Sequence, residues 1–253
     1  MSFCKILLSC LSFFSICTEP IFITSKEHLL SLIKQQIPSC NVIAEAGASN
    51  GHDTVMLASH FQKAKIFSFE PVAESFGVLQ KRIVPFSNVT IFNCALGNIT
   101  GQTIMYLSRI PNKEKGLGRS SSSLLQPYQH DKYSKSGKVF DEIKTVPIIT
   151  LDDWGKQYGI DAIDFIWLDT QGTELQILKA APLLLSKLQA IYLEVEFVEA
   201  YKGQNLFNET KMFLEKNGFV WHAADFSKQE AGKLVYEKED RWFGNALFIR
   251  SHS

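Results

Sequence analysis

The chain has no surplus of either charge: 26 Lys and Arg balance 26 Asp and Glu over 253 residues. That balance removes the global attraction on which nucleic-acid and anionic-membrane binding chiefly draw, and leaves such partners only a local patch. There is no C-x-x-C pair, and the five cysteines, Cys4, Cys10, Cys17, Cys40 and Cys94, are odd in number. The pattern argues against a disulfide framework or a zinc site and suits a reducing compartment. No internal repeat and no clear domain boundary interrupts the chain. An apolar stretch of bilayer-spanning length is also missing. The amino-terminal "MSFCKILLSCLSFFSIC" offers roughly a dozen mostly apolar residues, against about 20 for a spanning helix. A single Lys5 and a bulky Ile16 make poor flanks for secretion, while Ser2, Lys5, Ser9 and Ser12 recur at helical spacing. Two readings stay open for residues 3–17: a terminal helix that packs or touches a membrane, and a cleaved signal.

What is present is enough apolar material for a sizeable core, 45% hydrophobic against 21% charged. One α/β domain over residues 41–253 is expected, behind a hydrophobic segment and lead-in helix over 1–40. From residue 41 short apolar runs alternate with helical patterns, as in a parallel sheet with crossover helices. Core strands are predicted in "NVIAEAG", "AKIFSFEP", "NVTIFNCALG", "AIDFIWLDTQG" and "LQAIYLEVEF", with "FVWHAADF" and "NALFIRS" closing the sheet. "QTIMYLS" and "KTVPIITLDDW" read as extra extended segments, "TELQILKAAPLLLSK" as one helix, and Pro71 fits the first turn of the helix that follows "AKIFSFEP". Residues 110–141, including "GLGRSSSSL", have little periodicity, and so long an irregular stretch reads as a lid or substrate insertion.

In "VIAEAGASNG" a strand ends in an acid and small residues, then a helix follows, so the loop between Gly47 and Gly51 lets backbone come close to a ligand. In a doubly wound sheet, ligands bind outside the carboxyl ends of the strands. Glu45, Glu70 and Asp169 are predicted there, where an unpaired carboxylate is costly to bury, so the crevice wants hydrogen-bond donors. Glu70 lies 19 residues beyond Gly51, the distance at which a ribose-binding acid follows a glycine loop. The loop reads E-x-G-x-x-x-G, without the middle glycine of the dinucleotide fingerprint. Glu45 is badly placed beside a pyrophosphate and well placed near the amino group of a methionine moiety. S-adenosyl-L-methionine is therefore the expected cofactor, ahead of a nicotinamide dinucleotide.

The pieces "EAGASNG", "FSFEP", "NCALGN", "SSSL", "TLDDW", "IDFIWLDTQGTELQILKAA" and "YLEVEF", in that order, resemble the FkbM family of S-adenosylmethionine-dependent methyltransferases over about residues 41–225. The resemblance implies the class I methyltransferase fold, a Rossmann-like α/β architecture. Its doubly wound, mostly parallel seven-stranded sheet carries helices on both faces. It implies methyl transfer to a hydroxyl oxygen of a sugar or natural product. It places Glu45, Gly47, Ser49, Asn50 and Gly51 in the cofactor loop, Glu70 and Pro71 at the ribose, Cys94, Ala95 and Leu96 by the adenine, and Asp169 facing the transferring methyl. Departures are Glu45 where the family usually has Asp, Trp167 in place of a lysine, and Gln171 in place of a glutamate.

Methyl transfer from a sulfonium is an in-line displacement that gains much from alignment, and the acceptor hydroxyl must also lose its proton. Asp169 is the leading base, against a helix-terminus role. Glu174 belongs to the family motif, yet Thr173 and Gln176 form a T-x-x-Q capping box that would place it in a first helical turn. Glu194 and Glu196 share one strand face, and Glu196 is the third catalytic candidate. His130 could serve only if the insertion closes over the site. No metal is expected, since no tight ligand spacing appears. The expected partner is a small-molecule or glycan acceptor and no nucleic acid, with the active domain facing the cytoplasm. A catalytically silent binding module and an NAD(P)-dependent oxidoreductase remain as alternatives.

Overall fold

The computed structural model describes residues 19–111, 119–128, 137–226 and 242–251. The amino-terminal hydrophobic segment and His130 lie outside them. The first described elements are a two-residue strand β1 (Ile21–Phe22) and helix α1 (Lys26–Gln36). Ser25 starts α1 by accepting from the His28 N–H at 3.1 Å, and its apolar stripe buries Leu29, Leu30, Leu32 and Ile33.

Strand β2 (Val42–Ala46) leads through the glycine loop to α2 (His52–His60), β3 (Lys65–Phe69), α3 (Ala73–Arg82) and β4 (Val89–Phe92). Then come β5 (Ala95–Leu96), β6 (Gly101–Arg109), β7 (Val139–Ile149) and α4 (Leu151–Tyr158). The remainder is β8 (Phe165–Leu168), α5 (Glu174–Lys179), α6 (Pro182–Leu185), β9 (Ala190–Glu196), α7 (Phe207–Lys216), β10 (Phe219–Ala224) and β11 (Phe243–Arg250).

The main sheet runs β1-β10-β11-β9-β8-β2-β3-β4. All pairs from β4 to β9 are parallel, and β11 alone runs antiparallel to both its neighbours. The seven expected strands are present, and β1 adds an eighth by pairing with β10. The order reverses between β2 and β8, and that switch point fixes where a crevice opens. Alternation along each strand separates two cores. Ile43, Phe165, Trp167 and Tyr192 pack against α1 and α2, while Ala44, Ile166, Leu168 and Leu193 pack on the face covered by α4 to α7.

Four local readings change in the structure. "NCALG" does not continue β4. Asn93 donates from Nδ2 to the carbonyl of Glu70 at 2.8 Å, and Ala95–Leu96 peel away into a second sheet, β5-β7-β6. "LDDW" is helical: Thr150 caps α4 by accepting from the Asp153 N–H at 3.1 Å, and Trp154 is fully buried. "TELQILKAAPLLLSK" breaks into α5 and α6, because Pro182 has no N–H to continue the ladder. Pro71 lies before the helix it was expected to open, since α3 begins at Ala73 after an extended Val72.

Candidate active site

The carboxyl ends of β2, β3 and β8 border, with the second sheet, an open cleft. Its floor is the glycine loop. Gly47 has φ +83°, and a Cβ there would lie 1.8 Å from the carbonyl oxygen of Asp169. The loop after β2 therefore touches the end of β8 directly, and only glycine permits it. Four of the loop's five amides are already engaged within the protein, however. Gly47 and Ala48 donate to the Phe69 carbonyl, Ser49 to Glu70, and Gly51 to the Ala48 carbonyl. What it offers is close approach.

Glu70 follows β3 and lines the cleft while only 5% exposed. Its Oε2 accepts from the Ser49 N–H at 2.7 Å and its Oε1 from the Val72 N–H at 2.8 Å. Burial pushes its carboxyl up to about 7, against the pull of those two amides. Each oxygen keeps a lone pair, so the group suits two further hydroxyl donors. Asp169 lines the cleft from the end of β8, and its Oδ1 accepts from Gln171 Nε2 at 2.8 Å. Burial holds its carboxyl above the ordinary aspartate range. The Gln171 amide opposes this, Asp53 adds to it, and Lys26 and Lys138 draw it down.

Of the cofactor residues expected from sequence, Gly47, Ser49, Glu70, Pro71, Ala95 and Leu96 line the cleft together. Glu45, Asn50, Gly51 and Cys94 do not. Glu45 is 1% exposed on the α1/α2 face, where Thr54 and Ser68 donate to its Oε2 at 2.7 and 2.6 Å. It ties α2 and β3 beneath the loop. Asn50 accepts from Arg82 at 3.2 Å, and Gly51 is the N-cap of α2, packed against Leu79. Among the catalytic candidates that are described, only Asp169 lines the cleft. Glu196 is buried at the end of β9, outside the lining.

The capping box expected at Thr173 does not form. Glu174 instead folds back and accepts from the N–H groups of Thr170, at 2.7 Å, and Gly172, at 3.0 Å. It pins the loop that carries Asp169. Burial raises it to about 7.

The lining also includes residues that sequence reasoning left unassigned: Val72, Met105, Arg119, Ser120, Ser122 and Leu124. Arg119 is 7% exposed and ion-paired with Glu142 at 2.6 Å. The quoted run "RSSSSL" was the available signal. Segment 119–128 hydrogen-bonds to β6 through Tyr106 and Ser123 and forms one wall of the cleft. Burial pushes the Cys40 thiol up to about 12 and that of Cys94 up to about 11, so neither is a nucleophile at neutral pH. Among the described residues, no cluster of three or more His, Cys, Asp and Glu could hold a metal, and no helix is long and apolar enough to cross a membrane.

A model of the methyltransferase FkbM domain matches residues 45–221. The chain belongs to the FkbM methyltransferase family. This FkbM methyltransferase is 29% identical to the 2-O-methyltransferase NoeI of Sinorhizobium fredii, over 70% of this chain and 71% of that one. It is 23% identical to the methyltransferase sdnD of Sordaria araneosa, over 81% and 84%. Among solved structures, a precorrin-6y C5,15-methyltransferase of Geobacter metallireducens covers 91% of this chain, which covers 92% of that one, at 13% identity with a TM-score of 0.42. The class I assignment rests on the strand order itself. Its cofactor is S-adenosyl-L-methionine. The cleft fits that group: a buried carboxylate with spare lone pairs for ribose hydroxyls, apolar walls at Leu96 and Val72, and a loop that forbids a Cβ at its closest point.

Glu45 carries a testable consequence of its burial. Its folded value of about 7 lies above the ordinary glutamate value, so the stability it contributes is present at low pH and is lost as pH rises toward 7. Glu45→Gln keeps an oxygen for Thr54 and Ser68 but removes the ionisation. Its melting temperature relative to wild type should therefore climb between pH 5 and pH 8. A pH-independent difference in thermal melts would show that Glu45 ionises without penalty.

Proposed function

We propose that this methyltransferase transfers a methyl group to a hydroxyl oxygen of a sugar or natural-product acceptor, with Asp169 receiving the hydroxyl proton. The observation that carries the reading is the meeting of Glu70 and Asp169 in one cleft at the switch point of the sheet, joined by the Gly47 contact. The relative NoeI, a 2-O-methyltransferase, supports oxygen as the accepting atom.

When bound, S-adenosylmethionine supplies an electrophilic methyl on a sulfonium. The chain's own residues do the rest. Glu70 accepts the ribose hydroxyls, the Gly47 loop sets the depth of approach, and Asp169 orients and deprotonates the acceptor through the oxygen that Gln171 leaves unbonded. Glu45 and Glu174 act underneath, holding the two loops. The balanced charge and the acids of the site favour a small-molecule or glycan acceptor over nucleic acid. A cofactor kept inside cells, and cysteines without a pairing pattern, favour a cytoplasmic active domain.

Calorimetry with S-adenosylhomocysteine tests the assignment of Glu70. Ribose hydroxyls stabilise the charged carboxylate, so binding near pH 6.5 should release a proton, visible as a dependence of heat on buffer ionisation. Glu70→Gln should lose that release and weaken binding roughly tenfold to a hundredfold, the range for hydrogen bonds to a charged acceptor. Undiminished affinity would remove Glu70 from the ribose site. Cofactor binding without transfer to any of a broad panel of hydroxylated acceptors would instead favour a silent binding module.

A further inference from the structure

Gln171 has an unusual backbone for its side chain. It sits at φ +58°, the left-handed region, and Gly172 follows at φ +100°. Two such residues in succession reverse the chain after β8 and throw the Gln171 side chain back across the sheet end. Strain of this kind persists only where surrounding contacts hold it.

Those contacts are specific. Nε2 donates to Asp169 Oδ1 at 2.8 Å and to Glu194 Oε2 at 2.6 Å. Oε1 lies 3.0 Å from the Tyr201 hydroxyl, and the Gln171 carbonyl accepts from Ser123 at 2.7 Å. Both amide hydrogens are thereby used on two carboxylates from two strands. A flipped amide would set its oxygen against both acids, so the orientation is determined. One neutral donor thus joins the end of β8, strand β9, the Tyr201 loop and the 119–128 wall.

We propose that Gln171 is a positioning residue for methyl transfer: its amide aims the Asp169 carboxylate into the cleft and supplies the shared donor that lets Asp169 and Glu194 stand side by side as acceptors. The proposal rests on Asp169 acting at the acceptor hydroxyl. A glutamate at 171 would put three carboxyls within hydrogen-bond range, which cannot all be ionised together. A leucine would leave the two acids without their donor. Either change raises the proton affinity of Asp169 and disables it toward lower pH. The other charged and titratable groups around Asp169 are Lys26 on α1, Asp53 on α2, Lys138 before β7, Tyr192 and Glu194 on β9, Glu70 after β3 and Glu174 on α5. All of them stay in place in the variants, so a change in titration belongs to position 171.

The test is a carbon-13 carboxyl NMR titration of Asp169, assigned with Asp169→Asn, in wild type, Gln171→Glu and Gln171→Leu. Each variant should titrate about one pH unit or more higher, in coupled steps for Gln171→Glu. The acidic limb of kcat/KM should move by the same amount, while the Kd for S-adenosylhomocysteine stays within about threefold. A purely structural role would lower the melting temperature without moving either titration, and that result overturns the proposal. A raised Asp169 midpoint with an unmoved kcat/KM limb also overturns the positioning role, and shows that Asp169 is not the group titrating in catalysis. Normal turnover of Asp169→Asn, measured alongside, overturns the base assignment itself and is read independently of the NMR result on Gln171.

Discussion

Asp169→Asn should lower turnover by about a hundredfold or more while leaving S-adenosylhomocysteine binding and the fold nearly intact. The substitution is isosteric, and the structure dictates how the new amide will sit. Gln171 Nε2 donates to the inner oxygen of Asp169, so the substituted side chain must keep its oxygen there and turn its NH₂ toward the cleft. A donor then occupies the position where the acceptor hydroxyl needs an acceptor. A helix-terminus role is the competing explanation, and the structure weakens it. Helix α5 begins at Glu174, leaving Asp169 outside the first turn, where dipole effects have faded. The pH dependence adds a second readout. Because burial raises Asp169 above the ordinary aspartate range, wild-type turnover should fall away at a correspondingly high pH as the medium is acidified. In Asp169→Asn that limb should vanish from the residual activity. Turnover near the wild-type level would remove Asp169 from the mechanism and leave alignment alone, or His130, to account for the rate.

The architecture was legible because its signals are local. Strands such as "AKIFSF" and "FIWL" carry their apolar pattern in adjacent residues, and the acids that follow β3 and β8 stand at the boundary where such a pattern stops. Glu70 and Asp169 could therefore be placed in one crevice before any geometry was known. What escaped depends on partners far apart in sequence. Glu45 looked like a third crevice acid, but it lies inside β2, level with Ser68 and Trp167, and bonds to Ser68 and Thr54, whereas Glu70 and Asp169 lie beyond their strand ends. The three acids share strand parity, and what separates them is the exact residue at which each strand stops.

Gln171 shows the same limit more sharply. In the sequence it registered only as a departure from the family's usual glutamate. Its bond to Glu194 spans 23 residues and its contact with Tyr201 spans 30, and neither pairing has a sequence signature. Thr173 and Gln176 satisfied a capping pattern, but the tight turn after β8 brings the Thr173 hydroxyl to that of Thr170 at 2.9 Å, and tertiary geometry overrode the motif. The helix after it failed at Pro182 because an apolar stripe can continue through a break in the backbone ladder.

Among the described glycines, Gly47 should be the one where an added methyl group does the most damage. The position has φ +83°, which costs an L-residue roughly 1–2 kcal/mol, and the new Cβ would lie 1.8 Å from the Asp169 carbonyl oxygen. Neither partner in that overlap is a flexible side-chain tip: one is the loop backbone, the other the backbone leaving β8. Relief therefore requires separating the two strand ends, and overpacking of this kind costs roughly 1–3 kcal/mol more. A total of about 2–5 kcal/mol corresponds to a fall in melting temperature of roughly 5–15 °C for a domain of this size. The functional loss should exceed the structural one, since the displaced segments carry Ser49, which orients Glu70, and Asp169 itself. S-adenosylhomocysteine binding should become undetectable under conditions where the variant is still folded. Gly77 provides the control. It lies within α3, a Cβ there would meet nothing within 4 Å, and alanine should stabilise the helix by roughly 0.5–1 kcal/mol. Thermal melts of the two variants should thus move in opposite directions, and calorimetry should find ligand binding lost only in Gly47→Ala. A Gly47→Ala protein that melts like wild type and binds the ligand normally would mean that the β2 loop and the end of β8 do not meet in solution, and the cleft would lose its floor.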